Sequence, residues 1–182
     1  MVNPSPPLFH RIANLVAFQV GWFACVLGAG ASRPWLGPAI VAGLLALQAI
    51  GLPELRRAWP FILLVGTAGA ALDTSLALAG IFMFQAGLQP TWLCPPWLIA
   101  VWIIFASTLP SSLRWLAGHQ GLATVLGAVA GPLSYYAGVT LGALAMPEDP
   151  MQSLIVLAVL WGLLLPSLLH VMKRMVSGRA SS

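Results

Sequence analysis

The chain has 182 residues, of which 59% are hydrophobic and only 7% charged, and its formal net charge is +4. A soluble domain has roughly 25% charged residues, so this composition excludes a fold with an ordinary aqueous surface. The basic residues do not form a cluster but lie at the ends of apolar runs, a distribution that excludes a nucleic-acid-binding surface and is typical of membrane topology signals. We therefore predict a single integral membrane domain over residues 1–182.

Apolar runs of about 20 residues are long enough to cross a bilayer as helices, and the chain contains six of them. Short polar or proline-bearing segments separate the runs. The sequence therefore predicts an all-α fold, a six-helix transmembrane bundle, with helices at about residues 12–30, 35–52, 61–84, 97–116, 122–145 and 152–172.

The basic residues also predict an orientation. With six crossings, one side of the membrane has Arg33 together with the acidic pair Glu148 and Asp149. The other side has all the remaining basic residues: Arg11, Arg56, Arg57, Arg114, Lys173, Arg174 and Arg179. Because cytoplasmic loops are enriched in Lys and Arg, we expect both termini in the cytoplasm.

The first run also permits another interpretation. A basic start, an apolar run and the letters AGA at 29–31 loosely resemble a cleaved signal peptide. The run is longer than a usual signal-peptide core, however, and it contains Asn14 and Gln19. The topology of the other five helices would be the same in either case.

Small residues follow one face of the fifth segment. Because small side chains let membrane helices approach closely, this face predicts a tightly packed helix in the middle of the bundle. The pattern consists of Gly127, Gly131, Ser134, Gly138 and Gly142.

Asp73 is an isolated carboxylic acid in an apolar segment. It shares a helical face with Gly66, Gly69, Ala77 and Gly80, so we expect it to point into the bundle. A rise of 1.5 Å per residue places it roughly 18 Å from the start of its segment, near the middle of the membrane. Acids at this depth are costly and often functional, so Asp73 is our candidate catalytic residue. A purely structural hydrogen bond between helices is the alternative.

Other polar side chains are expected to line a cavity beside Asp73. Ser134 and Tyr135 reach the same level and could hydrogen-bond the acid, whereas Pro110 is expected to kink the fourth helix between Trp102 and Arg114. Glu54 is either at the mouth of the cavity or in a surface ion pair with a neighbouring arginine. The candidate substrate-binding residues are Glu54, Trp102, Ser112, Arg114, Ser134, Tyr135, Asn14 and Gln19.

No motif indicates a cofactor or a metal. His10, His119 and His170 lack the spacing of a membrane di-iron site, and no nucleophile elbow, phosphate-binding loop or dinucleotide fingerprint is present. We expect no cofactor and no metal, and the sequence leaves open whether the protein is an enzyme.

Several stretches together resemble a bacterial inner-membrane protein family of unknown function. They are NLVAFQVGWFACVLGAG, the isolated Asp73, PPWLIAVWIIFASTLPSSLRWL and GPLSYYAG, and the resemblance covers about residues 9–172. It implies a multi-pass protein of the bacterial cytoplasmic membrane, with a weak link to the modification of fatty acids. It carries no established activity.

Three functions fit these observations. The first is an enzyme, or an accessory to one, that binds or acts on a lipid-like substrate in the cavity. The second is a small proton-coupled transporter, because broken helices around a midplane acid are typical of transporters. The third is a non-catalytic scaffold or assembly subunit with a membrane-protein partner, in which the polar residues only specify packing. Membrane lipids are the expected partners, and the oligomeric state is open.

Overall fold

A computed structural model describes residues 7–85 and 92–177. Within these residues the fold is all-helical, with six α-helices. They are α1 (Leu8–Gly30), α2 (Leu36–Gly51), α3 (Pro53–Leu78), α4 (Pro96–Thr108), α5 (Gln120–Thr140) and α6 (Met151–Ser177). Between them lie a 3-10 helix (Arg114–Gly118) and two short strands, β1 (Met83–Phe84) and β2 (Leu144–Ala145), which pair antiparallel.

Four of the helices are long and apolar enough to cross a membrane. The candidate spans are Leu8–Gly30, Leu55–Leu78, Gln120–Thr140 and Met151–Val176. The apolar helices α2 and α4 are shorter, and at 1.5 Å per residue the 13 residues of α4 extend only about 20 Å. The surface also agrees with a membrane protein, because large apolar side chains such as Leu63, Val159 and Leu163 are more than half exposed on the outside of the bundle.

Helices α3 and α5 end earlier than the predicted limits of 84 and 145, and both ends have the same cause. Gly80 and Gly142 adopt positive φ angles of 74° and 77°, which side chains other than glycine rarely tolerate. Each stands in a Schellman motif, in which the following residue, Ile81 or Ala143, donates its N–H back to the last helical turn. The two glycines are therefore helix stops and do not belong to the packing faces to which we assigned them.

The chain after these two stops forms the β1–β2 pair. Met83 faces Ala145 and Phe84 faces Leu144, and the Gln85 N–H donates to the carbonyl of Ala143. The residues that we predicted as helix ends are therefore extended backbone that ties α3 to α5.

The fourth segment differs from the predicted kinked helix over 97–116. Helix α4 ends at Thr108, and buried turns carry the chain past Pro110 to the 3-10 helix. The hydroxyls of Ser107 and Thr108 donate to the carbonyls of Ile104 and Phe105, each at 2.7 Å, and so supply hydrogen bonds in the last turn of the helix. Pro110 thus breaks the helix outright, whereas α5 and α6 continue through Pro132 and Pro166 without interruption.

The helix in the middle of the bundle is α4, not α5 as expected. Helix α4 packs against α1, α2 and α3, and most of its side chains are buried. Helix α5 packs chiefly on α6, where its glycine face meets the partner backbone closely: a Cβ at Gly127 would lie 2.2 Å from the carbonyl oxygen of Trp161. The expected role of these glycines in close packing is confirmed, but the helix lies at the side of the bundle.

Candidate functional site

The Asp73 side chain is completely buried and accepts hydrogen bonds from two aromatic residues. The indole Nε1–H of Trp102 on α4 donates to one carboxyl oxygen at 2.7 Å. The Tyr135 hydroxyl on α5 donates to the other oxygen at 2.5 Å. Within the described residues no basic side chain forms an ion pair with the acid. Asp73 therefore joins three helices through neutral donors.

A stack of two indoles holds the Trp102 donor in position. The rings of Trp102 and Trp161 on α6 are parallel, with centroids 5.2 Å apart and an interplanar angle of 9°. Glycines cover both outer faces: a Cβ at Gly69 would lie 2.1 Å from the Trp102 ring, and one at Gly131 would lie 2.3 Å from the Trp161 ring. Because any larger residue at either glycine would displace a ring, this packing fixes the direction of the Trp102 N–H.

A second buried polar cluster lies at the break after α4. Asn14 on α1 is completely buried and accepts hydrogen bonds from the Ser112 hydroxyl at 2.7 Å and from the Ser112 backbone N–H at 3.4 Å. Its own amide donates to Gln48 on α2 at 2.6 Å and to Ser107 at 3.4 Å. Asn14 thus supplies an acceptor that the interrupted helix cannot, which explains a buried amide at this position.

Ser134 does not contact Asp73, although it is the neighbour of Tyr135. Its hydroxyl accepts a hydrogen bond from the indole Nε1–H of Trp22 on α1 at 3.0 Å. This bond connects α1 to α5 across a cavity.

The cavity has a volume of about 530 Å³ and is partly open. Its walls come from α1, α4, α5 and α6, with aromatic rings prominent in them, and no charged residue is among those that line it within the described chain. Tyr135 and Trp102 line the cavity, whereas Asp73 does not. Asp73 was expected to line the cavity itself, but its two hydrogen-bond partners, Trp102 and Tyr135, line the cavity in its place.

The predicted site residues consequently separate into distinct places. Trp102 and Tyr135 donate hydrogen bonds to Asp73. Asn14 accepts a hydrogen bond from Ser112. Gln19 and Ser134 line the cavity. Arg114 begins the 3-10 helix and does not line the cavity.

Two charged residues used in the sequence predictions, Glu54 and Arg179, have side chains that the structure does not describe. Glu54 belongs to the first turn of α3, but its side chain lies outside the described part, and Arg179 lies beyond the described residues altogether. Among the described residues, 7–85 and 92–177, no group of three or more His, Cys, Asp or Glu side chains is placed to hold a metal ion.

Sequence reasoning missed the two tryptophans that shape the cavity. Trp161 forms the second half of the indole stack, and Trp22 makes the bond to Ser134. A signal for Trp161 was present: Gly127 and Gly131 are one turn apart and leave a groove that a large ring on the partner helix can fill. No comparable pattern pointed to Trp22.

The described chain is an all-helical bundle in which four helices are long and apolar enough to cross a membrane, and such a bundle is compatible with a membrane protein. Residues 11–167 match a family model described as "Protein of unknown function (DUF2878)". The chain belongs to this family. Neither a curated protein nor a solved structure matches it.

Proposed function

We propose that the protein binds a hydrophobic, lipid-like molecule in the cavity between α1, α4, α5 and α6, and that Tyr135 is the polar group this molecule meets. The observation that carries the proposal is the uncharged cavity of about 530 Å³ whose wall includes both hydrogen-bond partners of the buried Asp73. Its volume lies in the range of sites for small organic ligands, roughly 300–1,000 Å³.

In this proposal Asp73 and Tyr135 have different roles. Tyr135 lines the cavity and donates to the carboxyl group, so its hydroxyl oxygen can accept a hydrogen bond from a bound molecule. It could take a proton from that molecule only as its own proton passes to the Asp73 carboxylate, and the reverse transfer would return both protons. Asp73 would act through Tyr135 and would not touch the ligand, which makes it a positioning residue. This assignment replaces direct proton transfer by Asp73, and it leaves open whether binding is followed by a reaction.

The basic residues support an orientation for the bundle. Arg11 lies in the first turn of α1, Arg56 and Arg57 lie in the first turns of α3, and Lys173 donates to the carbonyl of Ala117 near the end of the 3-10 helix. By the enrichment of basic residues on the cytoplasmic side, we propose that this end, with both termini, faces the cytoplasm of a bacterial inner membrane.

Native mass spectrometry of the protein extracted into lipid nanodiscs tests binding. We expect a stoichiometric hydrophobic molecule that survives removal of the bulk lipid. Val101→Trp, which inserts an indole into the cavity wall, should abolish the adduct, whereas Val125→Trp, on the exposed face of α5, should retain it. An adduct that is absent from the wild type, or equally present in Val101→Trp, would overturn the proposal.

A lipid extract of cells tests whether the protein modifies what it binds, including the proposed link to fatty-acid modification. We expect Tyr135→Phe and Asp73→Asn to change the same lipid species relative to wild type. An unchanged lipid composition in both variants would indicate that the protein binds the molecule without modifying it, as a carrier or accessory subunit does.

Two alternative functions each have one observation in their favour. The buried helix break at Pro110 favours a transporter, because non-helical backbone at membrane depth is typical of transport sites. Uptake driven by a proton gradient and lost in Asp73→Asn would support it. The hydrogen bond accepted by each carboxyl oxygen of Asp73 favours a scaffold with a membrane-protein partner, and unchanged phenotypes in Asp73→Asn and Val101→Trp cells would support that function.

A further inference from the structure

Helices α1 and α5 both line the cavity and touch at their C-terminal ends. A Cβ at Gly30 would lie 2.2 Å from the carbonyl oxygen of Leu141, so the two backbones are in close contact there. About two helical turns back from this contact, Trp22 and Ser134 form their 3.0 Å hydrogen bond. Within the described residues, no other side-chain hydrogen bond joins α1 to α5. The cavity is therefore closed at one end and bridged near its middle.

Toward the N-terminal ends of both helices, residues that line the cavity are also exposed, which indicates a gap in the wall. Leu15 and Gln19 of α1 line the cavity on one side of it, and Leu126 and Ala130 of α5 line it on the other. All four are also exposed, Leu15 by 45% and Leu126 by 39%. We call this gap, bounded by these four residues and by the Trp22–Ser134 bond, the lateral window.

The surroundings of the lateral window match hydrocarbon and not water. Val16 and Val125, beside it on α1 and α5, are 54% and 59% exposed and belong to the apolar outer surface of two candidate membrane spans. None of the cavity-lining residues in the described chain is charged, so an ionised group would enter without a partner and lose its hydration uncompensated. The window thus connects an apolar cavity with the apolar interior of the bilayer.

We propose that a single hydrocarbon chain enters the cavity sideways from the membrane through the lateral window, with any charged headgroup left outside. This inference rests on the proposed function and adds the class of ligand and its route. The volume of about 530 Å³ suits one chain and not a whole two-chain lipid. This hydrocarbon chain is part of either a membrane phospholipid or a free single-chain lipid.

Photolabelling of the full-length protein in liposomes distinguishes the route and the source. One set of liposomes contains a trace of a long-chain alcohol with a diazirine in mid-chain, and the other contains a phosphatidylcholine with the same chain. Labelled residues are mapped by mass spectrometry at Phe105 inside the cavity and at Val159 on the outer surface, which is 61% exposed. We expect both sites to be labelled by at least one probe.

Plugging the window should then remove only the inner label. Ala130→Trp fills one edge of the window, and Gln19→Trp provides a second plug from the opposite edge in case the first variant misfolds. Either should lower labelling at Phe105 at least fivefold and leave Val159 unchanged. Val129→Trp is the matched control, because it adds the same indole at a neighbouring exposed position that does not line the cavity.

The outcomes separate the route from the function. Labelling by the phosphatidylcholine probe would identify a phospholipid chain, and labelling by the alcohol alone would identify a free single-chain lipid. Phe105 labelling that persists in folded plugged variants would overturn the lateral route and leave ligand binding intact. Wild-type protein labelled at Val159 and not at Phe105 by either probe would overturn both.

Discussion

Substitutions of Asp73 separate the part of its role that holds the fold from the part that needs an acid. Asp73→Ala removes the acceptor of two buried donors, the Trp102 N–H and the Tyr135 O–H. An unsatisfied buried donor costs about 1–3 kcal/mol, so the pair should cost about 2–6 kcal/mol before any cavity forms. For a chain of this size each kcal/mol corresponds to about 2–4 °C in Tm, which gives an expected loss of about 5–20 °C.

Asp73→Asn should behave differently because the amide has nearly the same shape as the carboxyl group. Its oxygen can accept from Trp102, and its NH₂ can donate to the Tyr135 hydroxyl, which leaves one hydroxyl hydrogen without an acceptor. We expect a cost of about 1 kcal/mol. The acid itself is lost, so any proton-dependent function should disappear while the fold remains.

The native cysteines provide the stability assay. Cys25 and Cys94 are free thiols, 0% and 5% exposed, so a thiol-reactive coumarin maleimide reports unfolding as they become accessible. Burial also raises the pKa of the Cys94 thiol, which keeps it protonated and slow to react in the folded protein at neutral pH. Equal melting temperatures for wild type and Asp73→Ala would refute the hydrogen-bonding role, and equal losses in Asp73→Ala and Asp73→Asn would refute the distinction between them.

Three further predictions use the same assay. Gly69→Ala should lower stability by about 1–3 kcal/mol or more, since its Cβ would stand 2.1 Å from the Trp102 ring; a neutral effect would show that the ring is not confined. Asn14→Leu should cost about 1–3 kcal/mol because the break after α4 loses its acceptor, and a stabilised variant would contradict this. Gly142→Ala should cost about 1–2 kcal/mol through its φ of 77°, whereas the control Gly43→Ala, in a helix with open space around it, should be neutral or stabilising.

The coarse fold could be predicted because apolar runs of membrane length are a strong signal. The inward direction of Asp73 followed from helical spacing, and its depth left Ser134 and Tyr135 as possible hydrogen-bond partners. Asp73 is buried, and of the two hydroxyls only that of Tyr135 bonds to it within the described residues. The helix ends were less accurate. Gly80 and Gly142 fit the small-residue spacing of a packing face, and that interpretation concealed their conformational role as helix stops.

The arrangement of the helices could not be predicted from the same patterns. A glycine face indicates that a backbone lies close, but the same face serves a central helix and a helix in a peripheral hairpin, and α5 is the latter. Pro110 similarly allows a kink or a break. The break depends on Asn14, which is 98 residues from Ser112 in the sequence and supplies the missing acceptor. Contacts at such separations have no local signature.

Cryo-electron microscopy of the protein in nanodiscs of native lipid is the decisive measurement. We predict elongated density between α1 and α5 that passes through the lateral window and reaches contact distance of Tyr135 and Trp161, both of which line the cavity. A well-resolved map in which the cavity is filled by rearranged side chains, or holds only isolated water peaks, would contradict the binding of a hydrocarbon chain.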